Sequence, residues 1–176
     1  MTRGFLSEVE QNRLSNYPED LSHDDLGRYF TLSGSDVALV GQQRGDHNRL
    51  GFALQLCTLR YLGFIPDNLL HPPAELLRLL AHQLEVSTTV LEHYGQREQT
   101  RTDHLLSILQ VLGNRYSLPL DLIELETWLS ERALEHDRPT FLLQIVCERL
   151  RWDRIIRPGL SSLERLVATA RERARE

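Results

Sequence analysis

The order of apolar and polar positions along the chain predicts a succession of amphipathic helices. Apolar side chains recur at intervals of three and four residues, and the sequence has no sustained alternation with a period of two. Between residues 49 and 62 they cover nearly the whole circumference, as in a helix buried in the middle of a domain. Only residues 154–157 could be extended. The pattern predicts an all-α fold, with about nine or ten helices in one compact multi-helical domain that contains helix-turn-helix-like units.

Capping signals predict where these helices begin and end. Serines with an acidic residue three positions later precede several apolar runs, prolines suit the first turn of others, and glycines follow their ends. The last of these capping boxes, Ser161 with Glu164, predicts the start of the final helix. That helix runs to Glu176 without a stop signal, so we expect a larger polypeptide to continue beyond it.

The segment from Leu79 to Arg97 has the pattern of a helix-turn-helix. A first helix would end near Glu85 and Ser87 would cap a second, short helix. That second helix would expose residue types able to meet bases and phosphates, namely Thr88, Thr89 and His93, with Arg97 just past it. Glu85 departs from the pattern, because this turn position needs a positive φ and usually holds glycine. An ordinary helical hairpin fits the same segment equally well.

Two further groups of basic and polar residues lie near predicted helix starts. The first lies between residues 42 and 49, where backbone N–H groups favour a phosphate; it contains Arg44, His47, Asn48 and Arg49. A solvated polar loop is the alternative interpretation of this stretch. The second group surrounds the next helix and contains Arg97, Arg101, His104 and Arg115, of which the first three have the spacing of one helix face.

Charge and composition narrow the classes of function. The chain has 176 residues, a formal net charge of −5, and 20 basic residues that are all arginine. A net acidic charge argues against indiscriminate nucleic-acid binding, but residues 1–40 are acidic and residues 138–176 are basic, so a local basic face remains open. No apolar run is long enough to cross a bilayer, and the first residues of the sequence lack the apolar core of a signal peptide. We therefore expect a soluble, cytoplasmic protein with no membrane partner.

Enzymatic and metal-binding interpretations find little support in the sequence. It lacks H-E-x-x-H, P-loop and G-x-S-x-G motifs, and its seven histidines are scattered. The acidic cluster at residues 19–25 lies at a predicted helix start, where capping and the helix dipole explain it. We therefore predict no catalytic residue, no metal ligand and no cofactor.

Two longer motifs, taken together, indicate a family. Residues 47–63 read H-N-R-L-G-F-A-L-Q-L-C-x-L-R-Y-L-G and residues 94–104 read Y-x-x-R-x-x-T-R-x-x-H. With the segments around them, they resemble the amino-terminal domain of the large replicative transposases of the Tn-three family. The resemblance runs in order from Gly4 to Ala174, and its specificity lies in the whole set of motifs.

The resemblance implies an all-helical module that recognises the terminal inverted repeats of a transposon. It also implies that a longer RNase H-like catalytic region of the same polypeptide follows, which has no counterpart in these residues. The second motif places Tyr94, Arg97, Thr100 and Arg101 in the DNA-binding region. Asp46 and Glu85 depart from what a DNA-contacting loop and turn of this family would carry.

The resulting hypothesis is a non-catalytic, sequence-specific DNA-binding domain of a transposase, with double-stranded DNA as its partner and a homodimer as a possible assembly. Phosphate contacts are expected from Arg44, Arg49, Arg60, Arg97, Arg101 and Arg115, and base contacts from Thr88, Thr89 and His93. We expect a helical subdomain at 1–70, a DNA-binding subdomain at 71–117, and a helical subdomain at 118–176 that leads into the catalytic region. The alternative is a helical interaction, dimerisation or regulatory module that does not read DNA.

Overall fold

A computed structural model describes residues 4–176. These residues form ten helices and no β-strand, which confirms the all-α class. Nine of the helices are α-helical: α1 Glu8–Ser15, α2 His23–Tyr29, α3 Gly34–Gly41, α4 Asp46–Leu62, α5 Ala74–Leu84, α6 Glu98–Leu112, α7 Pro119–Ala133, α8 Pro139–Trp152 and α9 Leu160–Arg175. The tenth, Thr88–His93, is a 3₁₀ helix between α5 and α6.

The predicted capping signals are confirmed at several helix starts. Ser7 and Glu10 exchange side-chain to backbone hydrogen bonds of 3.2 and 2.8 Å before α1, and a second capping box opens α3. The capping box predicted at residues 161–164 is wrong, because the N-cap of α9 is Gly159, two residues earlier than Ser161, and the Glu164 carboxylate accepts a hydrogen bond from the Leu6 N–H instead. α4 also begins three residues earlier than predicted, so residues 46–48 form its first turn.

The chain divides into two compact units. The central unit comprises Arg13–Leu112, and the terminal unit comprises the described residues up to Asn12 together with Gly113–Glu176. The predicted division into three subdomains by role stays a prediction.

α4 is the axis of the central unit. Every residue from Leu50 to Leu59 is buried, and α2, α3, α5, α6 and the 3₁₀ helix all pack against this helix. Such a helix cannot present a polar face along its length, so only its ends reach the surface. The first turn of α4 is therefore one of the two parts of this helix that a partner could reach.

α7, α8 and α9 pack on one another in the terminal unit, around side chains such as Leu129, Val146 and Leu163. The buried carboxylate of Glu164 on α9 accepts hydrogen bonds from the backbone N–H of Leu6, at 3.1 Å, and from the Gln11 amide, at 3.4 Å. This carboxylate attaches the amino-terminal segment to α9. The segment predicted to be extended contains a single parallel bridge between Arg115 and Ile155.

Candidate nucleic-acid interface

A cleft of about 310 Å³ opens on the central unit where the start of α4, the end of the 3₁₀ helix and the start of α6 meet. Five residues singled out from the sequence line it, together with two residues of the connecting turn: His47, Asn48, His93, Gly95, Gln96, Arg97 and Thr100. Three segments that the sequence analysis treated separately therefore meet at one place. None of these seven residues, all in the described part of the chain, is acidic.

Two glycines with positive φ shape the walls of the cleft. Gly45 precedes α4 with φ 83°, and Gly95 separates the 3₁₀ helix from α6 with φ 77°. Side chains other than glycine rarely adopt such angles. A Cβ atom at residue 95 would also lie 2.7 Å from Cδ of Arg101. Glycine at this position permits both the turn and the close approach of the Arg101 stem.

Tyr94 lies beneath the cleft and is 2% exposed. Its ring lies against the α4 backbone at Gly51, where an added Cβ would overlap the ring. On its other side the ring stacks on His104, with centroids 5.6 Å apart and an interplanar angle of 18°. Tyr94 therefore fills the space between α4 and α6 and fixes the distance between two walls of the cleft.

A chain of buried hydrogen bonds holds Tyr94 in place. The Gln55 amide donates to Oη of Tyr94 at 2.6 Å, and Oη lies 2.8 Å from Nδ1 of His104. Because Oη accepts from Gln55, the hydroxyl can donate its own hydrogen to Nδ1, and the imidazole is then neutral with its hydrogen on Nε2. Burial lowers the pKa of His104 below 6.5 and raises the pKa of Tyr94 to about 12. His104 is 8% exposed and therefore belongs to the interior of the central unit. The sequence predicted a position on the DNA-binding surface instead.

The arginines around the cleft differ in their partners. Within the described residues, no ion pair or hydrogen bond engages the guanidinium of Arg97 or Arg44. The Arg49 guanidinium pairs with Asp46 at 3.2 Å on an exposed turn. Nε of Arg101 is buried without a hydrogen-bond partner, while its carbonyl accepts from Gln55 at 3.4 Å. Arg97, which lines the cleft, therefore has a guanidinium that no described residue engages.

Two of the predicted phosphate contacts lie elsewhere and are paired. The Arg60 guanidinium donates two hydrogen bonds to Asp36, at 2.9 and 3.0 Å, and these hold the pKa of the Asp36 carboxyl below its usual range. Arg115 belongs to the terminal unit and donates two hydrogen bonds of 2.7 Å to Asp121, which lower the pKa of Asp121 to about 2. Each pair joins two elements within its own unit.

The helix-turn-helix-like segment has the predicted turn and a different second helix. Glu85 adopts a left-handed conformation with φ 55° at the end of α5, so this position has the positive φ expected of the motif without the usual glycine. Ser87 caps the next helix through the N–H of Thr89. That helix is six residues of 3₁₀ rather than an α-helix, and it presents Thr89 and His93 to solvent while Thr88 is half-buried.

Sequence reasoning missed two kinds of residue at this site. Gly95 and Gln96 line the cleft, and a glycine just before a predicted helix was the available signal for the turn. Gln55 had no such signal, because a polar residue inside an otherwise apolar helix reveals its hydrogen-bond partner only in the folded structure.

Residues 4–176 contain no cluster of three or more potential metal ligands. None of the described helices is both long and apolar enough to span a bilayer.

Comparison with known proteins identifies the family. Residues 5–170 match the family described as domain of unknown function DUF4158. The chain is 38% identical to the transposase for transposon Tn21 of Escherichia coli and 38% identical to the transposase for transposon Tn501 of Pseudomonas aeruginosa, with 98% of the chain aligned in both cases. It is 31% identical to the transposase for transposon gamma-delta of Escherichia coli strain K12. The chain spans about 17% of the length of the first two relatives. It belongs to the DUF4158 family and is homologous to a segment of the Tn-three-family transposases.

Proposed function

We propose that this chain is the DNA-binding domain of a Tn-three-family transposase and that it recognises the terminal inverted repeats of the transposon during replicative transposition. The observation that carries the proposal is the cleft of the central unit, which brings His47, Asn48, His93, Arg97 and Thr100 together without a carboxylate among its lining residues. The transposase relatives support the class of partner.

The cleft suits a phosphate of the DNA backbone. The starts of α4 and α6 both border it, and the free N–H groups in the first turn of a helix favour an anion. Arg97 adds a guanidinium that no described residue engages, and such a group forms strong, bidentate hydrogen bonds with phosphate oxygens. Thr100 and Asn48 supply neutral polar groups that can complete the shell. In this arrangement Arg97 is the principal phosphate contact.

Base contacts fall to the exposed side of the 3₁₀ helix. Thr89 and His93 are exposed there, and His93 also lines the cleft, so a backbone held in the cleft would lie beside this helix. A hydroxyl and an imidazole can each read donors and acceptors on base edges. Phosphate contacts would fix the register, and these side chains would supply the sequence preference.

The catalytic chemistry would belong to another region of the same polypeptide. The chain accounts for only about 17% of its transposase relatives, which leaves room for a separate strand-transferring region. We propose that the domain itself is non-catalytic and needs no cofactor. Its partners would be duplex DNA, the catalytic region and, in an assembled complex, a second copy of the domain.

A salt-dependent binding titration tests the phosphate contact. The probe is a duplex of the terminal inverted repeat of the transposon that carries the gene, compared with a scrambled duplex. Arg97→Ala should lower the slope of log affinity against log salt by about 0.9, the value for one lost phosphate contact. Arg78→Ala is the matched control, because Arg78 is an exposed arginine of the same unit whose Nε donates to the Ala74 carbonyl.

Two results of this titration would oppose the proposal. Equal affinity of the wild-type chain for the repeat and the scrambled duplex would remove specific recognition. An unchanged slope for Arg97→Ala would remove the cleft as the phosphate site. Substitution of Thr89 or His93 by alanine tests base reading separately, since it should cost about 1–3 kcal/mol on the repeat alone.

A second candidate function is a protein-interaction module. The terminal unit exposes apolar side chains at the start of α7, namely Leu118, Leu120 and Ile123, each about 60% exposed. Their presence favours burial against another protein surface, whether a second copy or another part of the transposase. Light scattering with and without DNA separates the candidates. For an interaction module, the measured molar mass would rise with protein concentration and would not change when the duplex is added.

A further inference from the structure

Gln55 is a buried polar residue in the middle of α4, the most buried helix of the central unit. Its side chain is 2% exposed and lies within residues 50–59, all of which are buried. Moving an amide from water into apolar surroundings is unfavourable unless its N–H groups find acceptors. Gln55 does not line the cleft. Its role therefore depends on the groups that its amide binds.

The two hydrogens of this amide bind both ends of one segment. Nε2 of Gln55 donates to Oη of Tyr94 at 2.6 Å and to the Arg101 carbonyl at 3.4 Å. A backbone carbonyl only accepts, so the contact with Arg101 requires the nitrogen of the amide to face these partners. Tyr94 and Arg101 stand immediately before and after residues 95–100. One side chain of α4 thus holds both ends of that segment.

Residues 95–100 form one wall of the cleft. Four of the seven lining residues belong to this segment, namely Gly95, Gln96, Arg97 and Thr100. The Thr100 N–H donates to the Arg97 carbonyl at 3.1 Å, which joins the turn to the first residues of α6. No described residue engages the Arg97 guanidinium. The place of this side chain in the cleft therefore depends on how its backbone is held.

Two further contacts restrict the same segment. Nδ1 of His104 lies 2.8 Å from Oη of Tyr94, and the His104 ring packs edge-on against Phe52 of α4 with centroids 5.2 Å apart. The stem of Arg101 lies against Gly95, where an added Cβ would be 2.7 Å from Cδ. The Tyr94 hydroxyl is therefore held between an amide of α4 and an imidazole of α6.

We propose that Gln55 is a positioning residue for DNA recognition: its amide fixes both ends of residues 95–100 and thereby holds the Arg97 guanidinium where it binds a phosphate of the DNA backbone. The inference rests on the proposed DNA-binding function of the cleft. Gln55 acts through Tyr94 and Arg101 and does not touch the duplex. An arginine on a backbone that is already held in place loses less conformational entropy on binding, which raises the affinity without adding a contact.

The test measures binding of the inverted-repeat duplex to the complete chain and the salt dependence of that binding. Gln55→Met keeps the length of the side chain and removes both N–H donors. Oη of Tyr94 keeps His104 as a partner and the Arg101 carbonyl lies within α6, so the melting temperature should change by less than about 4 °C. Binding should nevertheless weaken roughly twofold to thirtyfold. The slope of log affinity against log salt should fall toward that of Arg97→Ala.

A double-mutant cycle shows whether Gln55 acts through Arg97. If it does, Gln55→Met should weaken binding by a smaller factor when residue 97 is already alanine than it does in the wild-type chain. Equal factors on the two backgrounds would show that Gln55 does not position Arg97, and they would overturn the proposal.

Thr58→Val is the matched control. Thr58 is a buried polar residue one turn after Gln55 in the same helix, and its Oγ1 lies 2.7 Å from Oη of Tyr17. Valine removes this buried hydrogen bond, which involves no residue between 94 and 101. The variant should therefore lose stability and keep the wild-type salt slope. A lowered slope in Thr58→Val would show that any lost buried hydrogen bond has this effect, and the positioning role would fail.

Tyr94→Phe is a second variant that separates the outcomes. It keeps the ring beside Gly51 and removes only Oη, so it should lower the salt slope as Gln55→Met does, and it decides the question if Gln55→Met does not fold. If Arg97→Ala lowers the slope while Gln55→Met and Tyr94→Phe change neither affinity nor slope, the positioning role is refuted and the cleft proposal stands. If Arg97→Ala leaves the slope unchanged, or if the wild-type chain binds no duplex, the cleft proposal fails and the positioning role fails with it.

Discussion

The Tyr94 ring lies directly against the backbone of Gly51, with no room for a side chain between them. The two residues are 43 positions apart, one in the most buried helix and the other at the end of the 3₁₀ helix. Because the ring also stacks on His104, it has no free direction in which to move. The spacing between α4 and α6, and with it the shape of the cleft, therefore depends on the absence of a side chain at residue 51.

Gly51→Ala should destabilise the central unit by about 2 kcal/mol, because overpacking against a rigid ring outweighs the gain in helix propensity. Urea unfolding followed by circular dichroism measures the change. Gly27→Ala in α2 is the matched control, since nothing lies within 4 Å of a Cβ placed there; it should stabilise the chain by up to about 1 kcal/mol. A stabilising effect at both positions would contradict the packing described for Tyr94.

His104 should make the stability of the chain depend on pH on the acid side. Burial lowers its pKa below the ordinary value of 6.5, so the unfolded chain binds a proton more readily than the folded chain. The contribution of His104 to the free energy of unfolding should therefore be fully present above pH 6.5. It should decline as the pH falls from there through the pKa of the folded chain. Unfolding at a series of pH values measures the decline.

The His104→Gln variant provides the comparison for this pH dependence. Glutamine offers Tyr94 an acceptor oxygen but cannot titrate, so the decline below pH 6.5 should become shallower. A decline as steep as that of the wild-type chain would show that other groups cause it. The imidazole signals of His104 in NMR spectra give its folded pKa independently.

Arg60→Ala should destabilise the fold by about 2 kcal/mol, because it leaves the carboxylate of Asp36, whose side chain is 6% exposed, without its bidentate partner. Asp36 also receives the Ser33 N–H in the capping box of α3, so the pair holds that helix to α4. Urea unfolding measures the loss, with Arg78→Ala as an exposed control. A change below about 0.5 kcal/mol would place Arg60 among ordinary surface residues.

Glu85→Gly should stabilise the chain by about 1 kcal/mol, because Glu85 adopts a left-handed conformation at the end of α5 that glycine accepts without a steric cost. Gly63→Ala is the converse change at the left-handed end of α4, where φ is 77°, and it should destabilise by a similar amount. Thermal unfolding of the two variants tests both signs. If both variants changed the stability in the same direction, the backbone conformation described for one of these helix ends would be contradicted.

The fold class could be predicted from the sequence because it depends on local signals. Apolar spacing and capping residues act within a few positions of one another, and Ser7 with Glu10 forms the predicted box. Glu164 shows where such reasoning stops. Its spacing from Ser161 suits a capping box, but a backbone N–H 158 positions away takes its carboxylate, and no local rule indicates that competitor.

The candidate site was predictable in its parts rather than in its assembly. His47 and Asn48 were identified by their position near a helix start, His93 and Arg97 by the helix-turn-helix-like pattern, and Thr100 by the family resemblance. The structure brings these five together. Arg60 is an arginine like Arg97, but its environment differs because Asp36 lies beside it in the fold. Whether an arginine is free or paired depends on residues distant in sequence, which spacing cannot reveal.

The hydrogen bond from Leu6 to Glu164 also bears on the order in which the chain folds during synthesis. The central unit is one continuous stretch, Arg13–Leu112, so it can fold while later residues are still on the ribosome. The terminal unit includes residues from both ends of the described chain, and its amino-terminal segment has to wait for α9 before it can dock. Residues 4–12 are thus translated before the central unit and reach their final place after it.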